Sequence, residues 1–189
     1  MFDDLLDACR RNDLERVESL VTADPTLLNR HADTGETALL AALYHRSHDV
    51  VAWLRPRRWN RTVFEVAAID DVETLKMLLA LQPDAADSYS LDGWTPLHLA
   101  AFFGAAGAAG QLLIHGADPR RISRNDMANT PLHAALAAKH QPLVRMLLDA
   151  GADPGIRTGG YTPLEIAERG GFETGAATLR DAMKRGLVS

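Results

Sequence analysis

The same short stretch of sequence recurs five times along this 189-residue chain, and this repetition constrains the fold more than any other feature. The copies read GETALLAA (35–42), NRTVFEVA (60–67), GWTPLHLA (93–100), NTPLHAAL (129–136) and GYTPLEIA (160–167). The shared threonines are Thr37, Thr62, Thr95, Thr130 and Thr162, at spacings of 25, 33, 35 and 32 residues. A period of this length predicts stacked supersecondary units, each of which buries its apolar face against its neighbours.

Each copy carries the signals of a helical pair, which are clearest in the third copy. Thr95 is a favourable N-cap because its side-chain oxygen accepts a free backbone N–H, and Pro96 is preorganised for the first helical turn. Gly104 and Gly116 are typical helix ends, since glycine readily adopts positive φ. The pattern therefore predicts a helix, a turn, a second helix and an exposed loop, in an all-α fold.

The motifs TPLHLA (95–100) and TPLHAA (130–135), each followed by GADP after a second helix, resemble ankyrin repeats. The resemblance covers nearly the whole chain and implies an all-α ankyrin-repeat solenoid of stacked helix-turn-helix pairs with projecting loops. It implies one domain, 1–189, with an N-terminal capping pair (1–30), internal repeats (35–59, 60–92, 93–127 and 128–159) and a C-terminal capping repeat (160–189). Within the family, the chain looks most like the bacterial cytosolic members.

Several positions depart from the family motif. Leu40, Glu65 and Glu165 stand where the histidine is usual. The interval between Thr37 and Thr62 is too short for a full projecting loop, whereas the loop between Asp118 and Thr130 is longer than its neighbour. We therefore expect one projecting loop to be missing and another to be enlarged.

Residues 93–117 contain no Asp, Glu, Lys or Arg, which raises the alternative of a membrane span. Pro96 opens one helix and Gly104 ends it, so we interpret the run as two helices. Gly107 and Gly110 fall within the second of these helices, where each costs about 1 kcal/mol relative to alanine. We therefore predict that this repeat is the least stable of the array.

The formal net charge of −5 argues against general nucleic-acid binding, which needs concentrated positive charge. The segment RPRRWNR is a local exception, in which Trp59 is surrounded by four arginines: Arg55, Arg57, Arg58 and Arg61. One interpretation is an anion or nucleic-acid contact, which salt-dependent retention on heparin would support. The other is capping of the carbonyl groups at the end of helix 48–54.

No nucleophile elbow, P-loop or dinucleotide-binding glycine motif is visible, so we expect neither enzymatic activity nor a cofactor. The TPLH motif implies that His98 and His133 form hydrogen bonds between neighbouring loops. His45 and His48 have no evident third ligand, so we expect no metal site. The single cysteine, Cys9, is expected to be buried and fits a reducing cytosol. The N-terminal segment lacks the apolar stretch of a signal peptide, so we expect none.

The resemblance implies protein binding through the concave face of the first helices and through the loop tips. Aromatic residues, arginine and methionine carry much of the energy of such interfaces. The candidate partner-binding residues are Tyr44, Tyr89, Trp94, Phe102, Phe103, Arg124, Met127 and Tyr161. For Phe102 and Phe103, packing beneath the 118–130 loop is an equal alternative. The sequence thus predicts a monomeric cytoplasmic adaptor for an unidentified protein partner, without a membrane span.

Overall fold

The computed structural model describes residues 1–57 and 60–186, and these residues form twelve α-helices. The helices are α1 (Phe2–Arg10), α2 (Leu14–Ala23), α3 (Ala38–Tyr44), α4 (His48–Leu54), α5 (Val63–Ala68), α6 (Val72–Leu81), α7 (Pro96–Phe103), α8 (Ala106–Ile114), α9 (Pro131–Ala137), α10 (Gln141–Asp149), α11 (Pro163–Arg169) and α12 (Glu173–Gly186). Two short 3-10 helices span Pro25–Asn29 and Pro83–Asp87. Within these described ranges there is no β-strand, and the predicted all-α fold is confirmed.

The chain divides into two compact units, Met1–Glu65 and Val66–Ser189, and the division falls inside α5. In the first unit, α1 packs against α3 and α2 packs against α4. In the second unit, α7, α9 and α11 pack in one row, while α6, α8, α10 and α12 pack in another. Each segment predicted as a repeat or cap contains one helical pair. The single domain 1–189 and its internal boundaries remain a prediction.

The turn inside each helical pair has a common backbone geometry. One residue of the turn adopts a positive φ, at Asn12, Arg46, Asp70, Gly104, Lys139 and Gly171. The next residue donates its N–H to the carbonyl five residues earlier, as between Asp71 and Val66 (3.0 Å) or between His140 and Ala135 (2.9 Å). This closed turn reverses the chain and places the second helix alongside the first.

The cores of both units are built from leucine and alanine. Leu39, Ala41 and Ala42 are fully buried in the first unit. In the second unit, Leu97 of α7 and Leu132 of α9 are buried in the row formed by α7, α9 and α11. The alanine pairs of the same two helices, Ala100 with Ala101 and Ala134 with Ala135, are also buried. Small side chains allow neighbouring helices to approach closely, which explains why alanine is used where α7 faces α9.

The uncharged run 93–117 contains two separate helices, α7 and α8, as predicted. Gly104 ends α7 with a φ of 80°. A Cβ atom at this position would lie 2.8 Å from the imidazole ring of His140, so both the backbone conformation and the neighbouring side chain favour glycine. None of the helices in the described ranges has the length and apolar character needed to cross a membrane.

Candidate functional site

Three projecting loops of the second unit, here called fingers, recur once per repeat. The first finger is Ser90–Trp94, the second is Ser123–Asn129 and the third is Thr158–Tyr161. Each is closed by a backbone hydrogen bond between its end residues, of 2.8, 2.8 and 3.1 Å respectively. The second finger is longer than the other two and lies within the loop that the sequence predicted to be enlarged.

The first and second fingers are joined by hydrogen bonds between their backbones and side chains. The N–H of Arg124 donates to the carbonyl of Gly93 (2.8 Å), and Asn125 Nδ2 donates to the carbonyl of Asp92 (2.9 Å). Gly93 has a φ of 83°, and a Cβ atom there would lie 2.6 Å from the carbonyl carbon of Arg124. The close approach of the two fingers therefore depends on glycine at this position.

The second finger is joined to the third by a side-chain contact and to the helices by an imidazole. Thr158 Oγ1 donates a hydrogen bond to the carbonyl of Ala128. His98 Nδ1 accepts from the N–H of Thr95 (3.3 Å), and its Nε2 donates to the carbonyl of Asn129 (2.9 Å). A histidine that accepts at one nitrogen and donates at the other is the neutral Nε2–H tautomer. The side chain thus ties the start of α7 to the end of the second finger.

His133 makes the equivalent connection one repeat later. Its Nδ1 faces Thr130, and its Nε2 donates to the carbonyl of Tyr161 (3.2 Å). Burial lowers the pKa of His98 to about 4 and also lowers the pKa of His133. Both imidazoles are therefore neutral at pH 7, and they form the hydrogen bonds between neighbouring loops that the TPLH motif implies.

In the first unit, Glu65 makes a different connection from the one that the histidine makes. Glu65 is 1% exposed, and its Oε2 accepts from the N–H of Thr62 (2.9 Å). Its other oxygen accepts from Thr37 Oγ1 of the preceding repeat (2.8 Å). A carboxylate cannot donate a hydrogen bond forward, so the contact between repeats runs backward to Thr37 instead. The preceding repeat, which has Leu40 at the histidine position, is connected in this way.

A comparison with known families accounts for these repeated contacts. A family profile described as ankyrin repeats (3 copies) matches residues 63–158, which is 96 of the 189 residues. The chain belongs to the ankyrin-repeat family.

Parts of this ankyrin-repeat chain are similar to parts of much longer proteins. It is 48% identical over 59 residues to the ARF GTPase-activating protein Git of Drosophila melanogaster, a match covering 31% of this chain and 8% of that protein. It is 28% identical over 152 residues to the mitochondrial disaggregase of Bos taurus, covering 75% and 22%. It is 46% identical over 61 residues to the ankyrin repeat and SOCS box protein 16 of Mus musculus, covering 32% and 13%. The chain thus spans less than a quarter of the length of each of these relatives.

The candidate residues on or next to the ankyrin fingers fall into three local groups. Tyr89 donates its hydroxyl to the carbonyl of Ile122 (2.9 Å), and the guanidinium of Arg124 lies 3.9 Å from the centre of the Tyr89 ring. Met127, on the second finger, is 59% exposed. Tyr161, at the end of the third finger, is 38% exposed and has the guanidinium of Arg169 over its ring at 4.8 Å. These side chains are therefore displayed on a hydrogen-bonded framework.

The remaining candidate aromatic residues lie on or beside the first helices. Trp94 is half-buried, and its ring centre lies 5.5 Å from that of His98. Phe102 and Phe103 make an edge-to-face contact with ring centres 5.1 Å apart, and Phe102 is 40% exposed. Tyr44 ends α3 in the first unit and is half-buried.

The basic segment is partly engaged in contacts with its own backbone. Arg57 lies with its guanidinium 3.4 Å from the centre of the Trp53 ring and donates to the carbonyl of Trp53 (2.5 Å). Arg61 donates to the carbonyls of Arg55 and Arg57. These are the carbonyl contacts at the end of α4 that the sequence suggested as one interpretation. The two candidates Arg58 and Trp59 lie outside the described residues.

One contact that the sequence did not predict connects the turn of one helical pair to the second helix of the following pair. Asp70 lies in the turn between α5 and α6, and its Oδ1 accepts from the N–H of Ala108 (2.6 Å) near the start of α8. In the first unit, Asn12 Oδ1 likewise accepts from the N–H of Asp49 (3.1 Å) at the start of α4. The sequence signal is an Asp or Asn at the positive-φ position of the turn. The N-caps of the two recipient helices, Ser47 and Ala105, make no side-chain capping hydrogen bond of their own.

The other residues considered for chemistry have ordinary structural surroundings. Cys9 is fully buried in α1, and burial raises the pKa of its thiol to about 12, so the reactive thiolate is disfavoured. His45 Nδ1 lies 3.0 Å from the carbonyl of Ala41 in its own helix. Across the two described ranges, no group of three or more His, Cys, Asp or Glu residues is placed to hold a metal ion.

A cleft of about 630 Å³ lies between α10 and the last turns of α12. Apolar side chains such as Leu148, Pro154 and Met183 line it, together with the charged residues Asp149 and Arg185. Its lining, taken from residues that the structure describes, includes no histidine, cysteine or serine that could act as a nucleophile or a base.

Proposed function

We propose that this ankyrin-repeat chain is a non-catalytic protein-recognition module, which binds a partner protein through the fingers of its second unit and the ends of its first helices. The observation that carries the proposal is the joined set of fingers displaying Arg124, Met127 and Tyr161. Because hydrogen bonds order these loops before binding, little conformational entropy is lost when a partner docks. Exposed aromatic, methionine and arginine side chains are the types enriched at protein interfaces.

Within the second unit, the end of α7 extends the proposed surface, since Phe102 is exposed beside Phe103. Tyr44, at the end of α3 in the first unit, is proposed as a separate partner contact. We propose these three residues because aromatic side chains bury a large area with few rotatable bonds. Trp94 is assigned a supporting role, since its ring packs near His98.

The relatives support an interaction module in a general sense. Ankyrin repeats generally serve in protein interaction, and this chain matches short parts of proteins with very different names. Such a distribution fits a segment that recruits partners to various activities. The partners and activities of those proteins are not transferred to this chain.

The chemistry of the described residues supports recognition without catalysis. His98 and His133 have both ring nitrogens engaged, and burial lowers the pKa of each. We therefore assign them to the framework and propose neither an enzymatic activity nor a cofactor. Cytoplasmic location, a monomeric state, an adaptor role and the bacterial cytosolic type all remain predictions.

The alternative of an anion or nucleic-acid contact through Arg55, Arg57, Arg58 and Arg61 also remains a prediction. Arg57 and Arg61 already donate to backbone carbonyls of the same segment. We therefore favour the fingers as the binding surface.

A pull-down with quantitative mass spectrometry tests the proposed function. The wild-type chain is compared with the double variant Met127→Ala/Tyr161→Ala, which removes exposed finger side chains and leaves the backbone hydrogen bonds in place. The matched control is Leu81→Ala/Ile114→Ala, since these side chains are 80% and 75% exposed on α6 and α8. Circular dichroism verifies that both variants are folded.

We expect the wild type and the control to recover the same partner and the finger variant to recover at least about tenfold less. A purified partner is then titrated by calorimetry against all three proteins. Equal binding to the finger variant and the wild type, or a loss confined to the control, would contradict the proposal.

A further inference from the structure

The arginines of the second finger and the loop leading to it differ in their charge pairing. Arg120 forms an ion pair with Asp118 (3.3 Å), and Arg121 forms one with Asp87. Arg124 forms no ion pair with any residue in the part of the chain that the structure describes. It is nevertheless exposed and lies over the ring of Tyr89. Arg124 thus keeps its positive charge available on the surface of the finger.

Three contacts hold Arg124 in place. Its backbone N–H is bound to Gly93, and its guanidinium lies 3.9 Å from the centre of the Tyr89 ring. The hydroxyl of Tyr89 is in turn bound to the carbonyl of Ile122, which fixes the ring. An arginine held on an aromatic face loses less rotamer entropy when it forms hydrogen bonds than a mobile side chain does.

Exposed apolar side chains occur just before the second finger, within it and on the first finger. Ile122, two residues before Arg124, is 41% exposed, and Met127, three residues after it, is 59% exposed. Leu91 is 68% exposed at the tip of the first finger, next to Asp92, whose carbonyl is bound to the second finger. The second finger therefore combines the positive charge of Arg124 with exposed apolar side chains before and after it in the chain.

We propose that Arg124 anchors a carboxylate side chain of an extended partner segment whose neighbouring residues are apolar; this inference rests on the proposed function. The guanidinium is suited to a carboxylate because it presents paired N–H donors. A carboxylate is favoured over a phosphate because one available arginine matches one negative charge. Asp118 and Asp126 in the same loop, and the net charge of −5, disfavour a dianion.

Selection from a phage-displayed library of random peptides against the full chain tests the inference. The selected peptides are synthesised and titrated against the wild type, Arg124→Ala, Arg124→Lys and Tyr89→Leu. Arg120→Ala is the matched control, since it removes an arginine from the same loop that is already paired with Asp118. Circular dichroism spectra and unfolding midpoints verify that the variants are folded.

We expect the selected peptides to share an Asp or Glu flanked by apolar residues. Arg124→Ala should weaken their binding about tenfold, Arg124→Lys and Tyr89→Leu by less, and Arg120→Ala hardly at all. Replacing the shared acid by its amide should weaken binding to the wild type but not to Arg124→Ala. This non-additivity identifies the pair of groups in contact.

Other outcomes overturn the inference. They are a library that yields no binder, peptides without a shared acidic residue, equal binding to Arg124→Ala and wild type, or an equal loss with Arg120→Ala. Tighter binding when phosphoserine replaces the acid would assign the surface to phosphate instead. If Arg124→Ala binds the peptides as the wild type does and Met127→Ala/Tyr161→Ala does not bind them, the inference is refuted and the proposed function stands. Peptides insensitive to both sets of changes contradict both.

Discussion

At the scale of single residues, three side-chain types occupy the same position of the repeat with different results. His98 and His133 bind their own threonine and donate forward to the next loop. Glu65 binds its own threonine and accepts from Thr37 behind it, whereas Leu40 at the equivalent position is buried in the core. The chemistry of the side chain, donor or acceptor, therefore decides in which direction neighbouring repeats are joined.

The neutral state of His98 predicts a pH dependence of stability. Its pKa is about 4 in the folded chain against 6.5 for the model compound, so between these values the unfolded state binds more protons. The contribution of neutral His98 to the free energy of unfolding is therefore fully present above pH 6.5. It is lost as the pH falls towards 4, which lowers the free energy of unfolding by about 3 kcal/mol in total. Urea unfolding at pH 7 and at pH 4.5 measures the effect.

The comparison that isolates this contribution uses His98→Leu, which copies the residue at position 40. The variant should be less stable than wild type at pH 7, and the difference should shrink at pH 4.5, because only the wild type carries the histidine contribution. His115→Leu is the control, since that side chain is exposed and bonded within its own helix. A pH dependence that is identical in wild type and His98→Leu would refute the assignment.

At the scale of elements, α8 has two features that weaken an isolated helix, and we expect it to depend on its neighbours. Its sequence contains Gly107 and Gly110, and its N-cap, Ala105, has no side-chain hydrogen bond. The missing cap is supplied by Asp70 from the preceding repeat. The helical period of α8 was predictable from the leucines and the following Gly116, but the external cap was not, because it depends on how two repeats align.

The two glycines of α8 give a matched pair of substitutions. A Cβ atom at Gly110 meets nothing within 4 Å, so Gly110→Ala should stabilise the chain by about 1 kcal/mol. At Gly107 the Cβ atom would lie 2.7 Å from Val72 Cγ2 and 3.0 Å from Asp70 Oδ1, so Gly107→Ala should give no such gain. Chemical denaturation of both variants measures the difference in unfolding free energy.

Hydrogen exchange provides a second measurement on the same helix. We expect residues 105–114 to be the least protected helix of the repeats and to gain protection in Gly110→Ala. An equal stabilisation by both alanine substitutions, or strong protection of 105–114 in the wild type, would contradict this account of α8.

The external cap predicts a separate effect at Asp70. Asp70 has a φ of 59°, which glycine and asparagine adopt readily, so Asp70→Gly removes the cap without adding backbone strain. We expect Asp70→Gly to destabilise the chain by about 1 kcal/mol. Asp70→Asn should be nearly neutral, because Asn12 makes the equivalent contact in the first unit. Equal stability of the glycine and asparagine variants in urea would exclude a capping role.

At the scale of the whole molecule, the repeat pattern predicted the all-α fold and the order of helical pairs. The helix signals within it predicted that the uncharged run is two helices, and the resemblance of TPLH to the family motif implied that His98 and His133 connect neighbouring loops. The pattern also placed Tyr89, Arg124, Met127 and Tyr161 on loops, because glycine, proline and asparagine mark these segments. It did not predict that Tyr89 and Arg124 are in contact, since they lie on different loops 35 positions apart in the chain.

The sequence by itself determined the local features of this protein, namely where helices begin at Thr95 or Thr162, where they end at Gly104, and which faces are apolar. These depend on backbone preferences and on side chains a few residues apart. Only the tertiary structure decided that Asp70 caps α8, that Glu65 reaches back to Thr37, and that Arg124 lies on Tyr89 with no ion pair among the residues that the structure describes. Each of these contacts joins separate repeats, and their alignment depends on unequal loops and on packing that no local pattern encodes.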